Sequence, residues 1–211
     1  MISLRMGNCD LDIIPVIKGL VSEKDKVIEA LSKKEYETAG VSWGIEEIEA
    51  VRRRAEITGD NETNDLDVVY LYKLKTFGDV DMPDPAFTYI VDEFSKKNVS
   101  VIPLDMSDDE FAEAYCKEVS TFDFLKEGKI VSKAMKREFD NSSPEKFIME
   151  WDALINEVKG YRKMNRVKEE FIAGQIADVA KYRRNALILV DYERLDGIMT
   201  ALRESNDLQQ M

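Results

Sequence analysis

The sequence predicts an α/β fold: a mainly parallel β-sheet flanked by helices, with a helical insertion before the last strand. Three observations carry that reading. Short apolar runs alternate with amphipathic stretches through the first half of the chain, the order that builds a parallel sheet covered by helices. Residues 107–182 read as helix almost throughout. Beyond them, Ala186-Leu-Ile-Leu-Val190 is an unbroken apolar run of strand length. No repeat, low-complexity tract or linker divides the chain. Residues 1–211 are therefore expected to form a single domain, with about 107–161 as the insertion and about 204–211 frayed.

The elements follow in order. Residues 2–6 form a strand stopped by Gly7-Asn8. Ser22 opens a helix to about residue 33, and Glu23 and Asp25 suit the positive end of its dipole. Residues 36–43 are a second strand closed by Gly44. Residues 45–56 are helical, with Ile45, Ile48 and Val51 on one face and Glu49 supporting Arg53 one turn on. Residues 58–65 are a polar loop, and the dense run Val68-Val-Tyr-Leu-Tyr72 predicts a third strand over 66–74. Asp84-Pro85 is an aspartate cap followed by proline at the first helical position, starting a helix to about 97. A short fourth strand spans 99–104. Ser107-Asp-Asp-Glu110 is a capping box, with Phe111, Tyr115 and Val119 along the stripe behind it. Helices follow over about 122–139, 143–159 and 164–182, the last with Ile172, Ile176, Val179 and Ala180 on one face. Residues 186–190 are the last strand and 195–203 a closing helix.

Composition excludes more than it assigns. The chain of 211 residues has no histidine, which removes the commonest general base, the serine- and cysteine-type triads and most zinc chemistry. The net charge is −12, and Arg52-Arg53-Arg54 is an isolated basic triplet, so nucleic acid is not an expected partner. No apolar run approaches the roughly 20 residues of a membrane span, so no membrane insertion is expected. No secretory leader pattern opens the chain, and Cys9 and Cys116 lie far apart outside any C-x-x-C unit. Two free thiols in a cytoplasmic protein are expected, with Cys9 buried. The signature loops G-x-x-x-x-G-K-[ST], G-x-G-x-x-G and G-x-S-x-G do not occur.

In a parallel sheet, ligands sit beyond the C-terminal ends of the strands. With the strands above, that edge would collect Asn8-Cys9-Asp10, Ser42-Trp43, Lys73 and Lys75, Asp105, and Asp191-Tyr192-Glu193-Arg194. Asp10, Asp12, Asp105 and Asp191 could bind a hard cation there, or each acid could cap the helix that follows its strand.

Several segments carry a family resemblance. The turn Gly7-Asn8-Cys9-Asp10 follows the first strand, and Val41-Ser42-Trp43-Gly44-Ile45-Glu46-Glu47 ends the second. Asp105-Met106 follows the fourth strand, and Lys168-Glu169-Glu170-Phe171-Ile172-Ala173 lies on a late helix. Val190-Asp191-Tyr192-Glu193-Arg194-Leu195-Asp196-Gly197 closes the set. In order and layout the chain resembles a divergent member of the TraB/PrgY family, within the group that includes the Tiki and ChaN/EreA-like proteins. The resemblance implies that Asp10 and Arg194 stand where the family has histidines. Ser42 replaces a glutamate, and Glu47 replaces an arginine. Asp105, Lys168 and Glu169 keep family-like chemistry. The larger group is described as metal-dependent proteases or hydrolases, but a site changed in this way implies a non-catalytic scaffold with a binding, regulatory or assembly role. The alternative is a hydrolase with a carboxylate-based metal site from Asp10, Asp105, Glu169 and Asp191.

The expected edge is therefore salt-bridged, without metal or other cofactor: its acids pair with Lys168 and Arg194, and Glu169 joins one of those cations. The expected partner is a second copy or a histidine-bearing paralogue, held through the helical insertion. Phe122, Phe124, Phe139, Phe147, Trp151 and Tyr161 offer it aromatic surface there.

Overall fold

A computed structural model describes residues 1–55 and 64–209. The end of the helix expected over 45–56 and most of the loop expected over 58–65 lie outside the described residues.

The chain opens with a hairpin. β1 (Ile2–Met6) pairs antiparallel with β2 (Cys9–Val16), from Ile2 opposite Ile13 to Met6 opposite Cys9. The two-residue turn Gly7-Asn8 needs a left-handed first position, and Gly7 supplies it at φ 58°. α1 (Glu23–Lys33), β3 (Ala39–Val41), α2 (Ile45–Arg52), α3 (Asp65–Leu74), α4 (Pro85–Lys96) and β4 (Val101–Pro103) follow. Then come α5 (Asp108–Glu118), α6 (Thr121–Phe124), α7 (Glu127–Lys136), α8 (Pro144–Ile155) and the long α9 (Lys159–Tyr182). β5 (Asn185–Asp191) and α10 (Leu195–Gln209) close the chain. The sheet order is β1-β2-β5-β3-β4, and every pairing except β1 with β2 is parallel.

Alternation along the strands builds two cores. Ile14, Val16, Leu187 and Leu189 face α1, α2 and α4, where Val27, Ile48, Phe87 and Phe94 are fully buried. Leu11, Ile13, Ile188 and Val190 face α9 and α10, against Ile172, Ile176 and Ile198. A third core lies beyond the end of β2, where Ile17 and Leu20 meet α3, α7 and α8. Tyr70, Phe139, Phe147 and Trp151 pack ring against ring there, with centroids 5.3–6.1 Å apart.

The mainly parallel sheet, the helices on both faces and the helical run α5–α9 before β5 agree with the sequence reading. Four details correct it. Residues 65–74 are a helix, not a strand. The Asn64 side chain accepts from the Asp67 N–H and caps α3, while Tyr70 and Leu74, one turn apart, bury its inner face. The run looked like a strand because Val68 and Tyr72 are apolar too, although both are more than half exposed. The second correction is β2, which the sequence reading omitted. Asp10, Asp12 and Pro15 interrupt its apolar pattern, yet Pro15 lies past the last residue paired with β1, so its missing N–H costs no bond on that side. Third, the expected 36–43 strand shrinks to β3, and the 122–139 helix breaks into α6 and α7. Fourth, the closing helix, expected over 195–203, runs on to Gln209.

The recoil of α3 from strand to helix also changes the reading of the insertion. Phe139, Phe147 and Trp151 are buried against Tyr70, so α3 supplies the cover that a partner was expected to give them. Among the described residues, no helix is long and apolar enough to cross a membrane.

Candidate functional site

The parallel strands deliver β2, β5, β3 and β4 to one edge in the order Ile17-Lys18, Asp191, Ser42 and Asp105. Ladder bonds continue past the strand ends and hold this edge in register. The Ser42 N–H donates to the Leu189 carbonyl, Leu104 to Val41, and Asp105 to Trp43. Gly44 turns the chain so close to the Met106 carbonyl that a Cβ would collide with it, so the β3 and β4 exits pack backbone against backbone.

Four charged groups meet on that frame. The Lys168 Nζ, arriving from α9, lies 2.7 Å from Asp105 Oδ2. Ser42 Oγ donates to Asp191 Oδ2 at 3.2 Å and accepts from the Asp191 N–H at 3.1 Å. Glu47 Oε2 accepts from the Gly44 N–H at 2.7 Å, completing the first turn of α2. Burial pushes the Asp191 carboxyl up, with Lys168 and Lys18 opposing. Burial also raises Glu47. Lys168 is raised in spite of its burial, because Asp105 outweighs the loss of water. Glu193 sits two residues past Asp191, in the single 3-10 turn before α10. Burial, reinforced by Asp191, raises it to about 8, so it holds a proton at neutral pH. Its Oε2 is buried and has no hydrogen-bond partner among the described residues.

A second polar knot lies beside this edge. Arg194 is 7% exposed; its Nη1 lies 2.8 Å from Glu169 Oε1, and its Nη2 bonds Asp152 of α8. Burial draws its guanidinium down to about 10, still charged at neutral pH. Glu169 packs on the first turn of α10 where Gly197 leaves room, and a Cβ at 197 would strike its carboxylate. A cavity of about 700 Å³ opens alongside, lined in part by Arg162, Arg166, Glu169, Arg194 and Thr200.

The residues expected at or against this edge therefore divide. Ser42, Asp105, Lys168 and Asp191 come together, and Glu169 and Arg194 form the adjoining knot. Asp10 does not join them. It pairs with Asn185 at the start of β5, which puts it on the opposite edge of the sheet, 4.0 Å from Arg5. The displacement has a simple cause: Asp10 belongs to β2, so it opens a strand where the sequence reading had it follow one. Asp12 lies on that same opposite half, bound by Lys34, Tyr36 and Ser3. Lys73 and Lys75 leave the edge as well, because α3 carries Lys73 and the 3-10 turn after it carries Lys75, and the Lys73 ammonium donates to the Met135 and Arg137 carbonyls.

Asp152 and Lys18 are new to the site. Asp152 had no motif to mark it, and Lys18 could have been found only by recognising β2. Among the described residues, no group of three or more cysteine, aspartate or glutamate side chains is placed to hold a metal ion. Cys9 is buried and Cys116 exposed, both free. Comparison of the chain with protein-family models, with curated proteins and with solved structures finds no match.

Proposed function

We propose that this chain is a non-catalytic binding or regulatory protein on a TraB-like scaffold, acting in the cytoplasm through contacts rather than chemistry. The observation that supports it most is the Lys168–Asp105 pair at the C-terminal edge of the sheet. The edge places its charged groups against one another: lysine on aspartate, serine on aspartate, and glutamate on the backbone of its own helix. A nucleophile or general base needs a free face toward a substrate, and these groups spend theirs on the fold. Neither nucleic acid nor a resident cofactor belongs to this reading.

The competing reading is a hydrolase built on carboxylates. The partnerless Glu193 Oε2 beside Asp191 favours it, since a divalent ion would satisfy that oxygen. Elemental analysis of the purified protein, with peptidase and esterase assays in zinc, manganese and magnesium, separates the two. The proposal expects no stoichiometric metal and no turnover. About one metal per chain, lost together with hydrolysis in Asp191→Ala, overturns it.

Contacts need a surface. Exposed Phe122, Phe124 and Leu125 favour the helical region as that interface.

A further inference from the structure

The most anomalous surface on the molecule is the short segment that joins α5 to α8. Phe122, Phe124 and Leu125 are 78%, 57% and 66% exposed, three large apolar side chains within four residues. The fold gives them nothing to cover, because Asp123 between them turns inward and takes the Ser120 cap instead. α7 follows at once. Ile130 and Ala134 bury one face of it, and helical spacing sets Lys129, Ser132 and Lys136 on the opposite face.

The charge of this segment opposes that of the chain. Residues 126–137 carry Lys126, Lys129, Lys133, Lys136 and Arg137 against Glu127 alone, in a protein of net charge −12. Lys126, Lys133 and Arg137 pair with Asp123, Glu157 and Glu150. Among the described residues, Lys129 and Lys136 pair with no acid, and both are exposed.

We propose that α6 and α7 dock on an anionic lipid surface. Phe122, Phe124 and Leu125 enter the boundary between headgroups and acyl chains, and Lys129 and Lys136 meet the anionic headgroups. The charge pattern selects this occupant over a second copy. Lys129 and Lys136, exposed and without an acidic partner among the described residues, complement a negatively charged surface beside the apolar triad, whereas a second copy of this chain brings no matching net negative patch that the structure shows. At physiological ionic strength charges are screened beyond about 8 Å, so the acidic remainder of the molecule does not cancel the local attraction. This inference rests on the reading of the helical region as an interface, and it makes no use of the sheet edge.

The test is co-sedimentation of the full chain with vesicles of phosphatidylcholine and phosphatidylserine in roughly 3:1 ratio, against vesicles of phosphatidylcholine alone. Binding is expected on the first and not on the second, and is lost when salt is raised to about 0.5 M. Lys129→Gln with Lys136→Gln is expected to weaken binding about 30-fold, from ~1 kcal/mol per lysine. Phe122→Ser with Phe124→Ser abolishes it, with an unchanged far-UV circular dichroism spectrum. No binding, equal binding to both vesicles, or binding indifferent to the lysine pair overturns the proposal. So does a dimer in light scattering that Phe122→Ser dissolves, which assigns the face to a second copy. The metal and hydrolase assays at the sheet edge are independent of each of these outcomes.

Discussion

Asp12 and Asp191 lie on neighbouring strands at opposite ends of one sheet, and their surroundings treat them in opposite ways. Burial pushes Asp12 up, but Lys34, Ser3 and Tyr36 all donate to its carboxylate and bring it below the ordinary aspartate range. Among the described residues, only the Ser42 hydroxyl donates to the Asp191 side chain, with lysines acting from further away, and burial holds it above that range. Beside it, burial raises Glu193 as well. The N-terminal edge is thus a finished ion-pair network and the C-terminal edge an under-compensated one. A protein tolerates such a deficit at the edge where parallel sheets receive their ligands, and closes the other with bonds.

Three experiments test that contrast, the largest effect first. Arg194→Ala leaves Glu169 and Asp152 facing each other without their shared cation, and is expected to lower unfolding stability by about 3 kcal/mol in urea titration. A loss below about 1 kcal/mol means that the knot is solvated and the contrast overstated. Asp12→Asn is expected to cost about 2 kcal/mol near neutral pH, because it strips the charge from three donors. The Asp12 carboxyl is lowered by folding, so its contribution is present above the unfolded pKa of about 4 and fades as pH falls through the folded value. The variant should therefore lose part of the acid-side decline, and an unaltered decline breaks the comparison.

Glu193 has the opposite sign. Its folded pKa of about 8 lies above the unfolded value of about 4.5, so between them the folded state holds a proton that the unfolded chain releases. Stability therefore falls as pH rises through that window. Glu193→Gln, which keeps the neutral shape, should flatten that fall in pH-dependent melting. A wild-type profile that rises from pH 5 to pH 8 with no change in the variant would show that this edge is as well compensated as the other.

The elements that were legible in the sequence are those whose signal is local. Ser107 and Glu110 form the expected box at α5, Asp84 caps α4 ahead of Pro85, and Ile172 and Ile176 face the sheet from α9. The errors come from long-range context. The stretch Val68-Val-Tyr-Leu-Tyr72 has apolar residues on every side, so periodicity could not separate a helix from a strand, and the packing of Tyr70 on Trp151 decided it. β2 hid because its acids are satisfied by partners distant in sequence: Lys34 and Tyr36 hold Asp12, and nothing near Asp12 announces them. The site divided for the same reason. Asp105, Lys168 and Asp191 could be placed from strand ends and helix faces, whereas the position of Asp10 depended on a hairpin that the residue pattern concealed.

The position of β5 has a consequence for how the chain assembles. It follows the other four strands by a long stretch of chain, yet it fills the slot between β2 and β3, pairing Ile13 with Ile188 and Gly40 with Ile188. Until residues 185–191 have left the ribosome, the β1–β2 hairpin and the β3–β4 pair each present one bare edge to solvent. Such edges recruit other chains, and the delay is long because α5–α9 must all emerge first. Folding is therefore expected to be governed by one late, non-local event, the seating of β5, and to depend on whatever shields those two edges during synthesis.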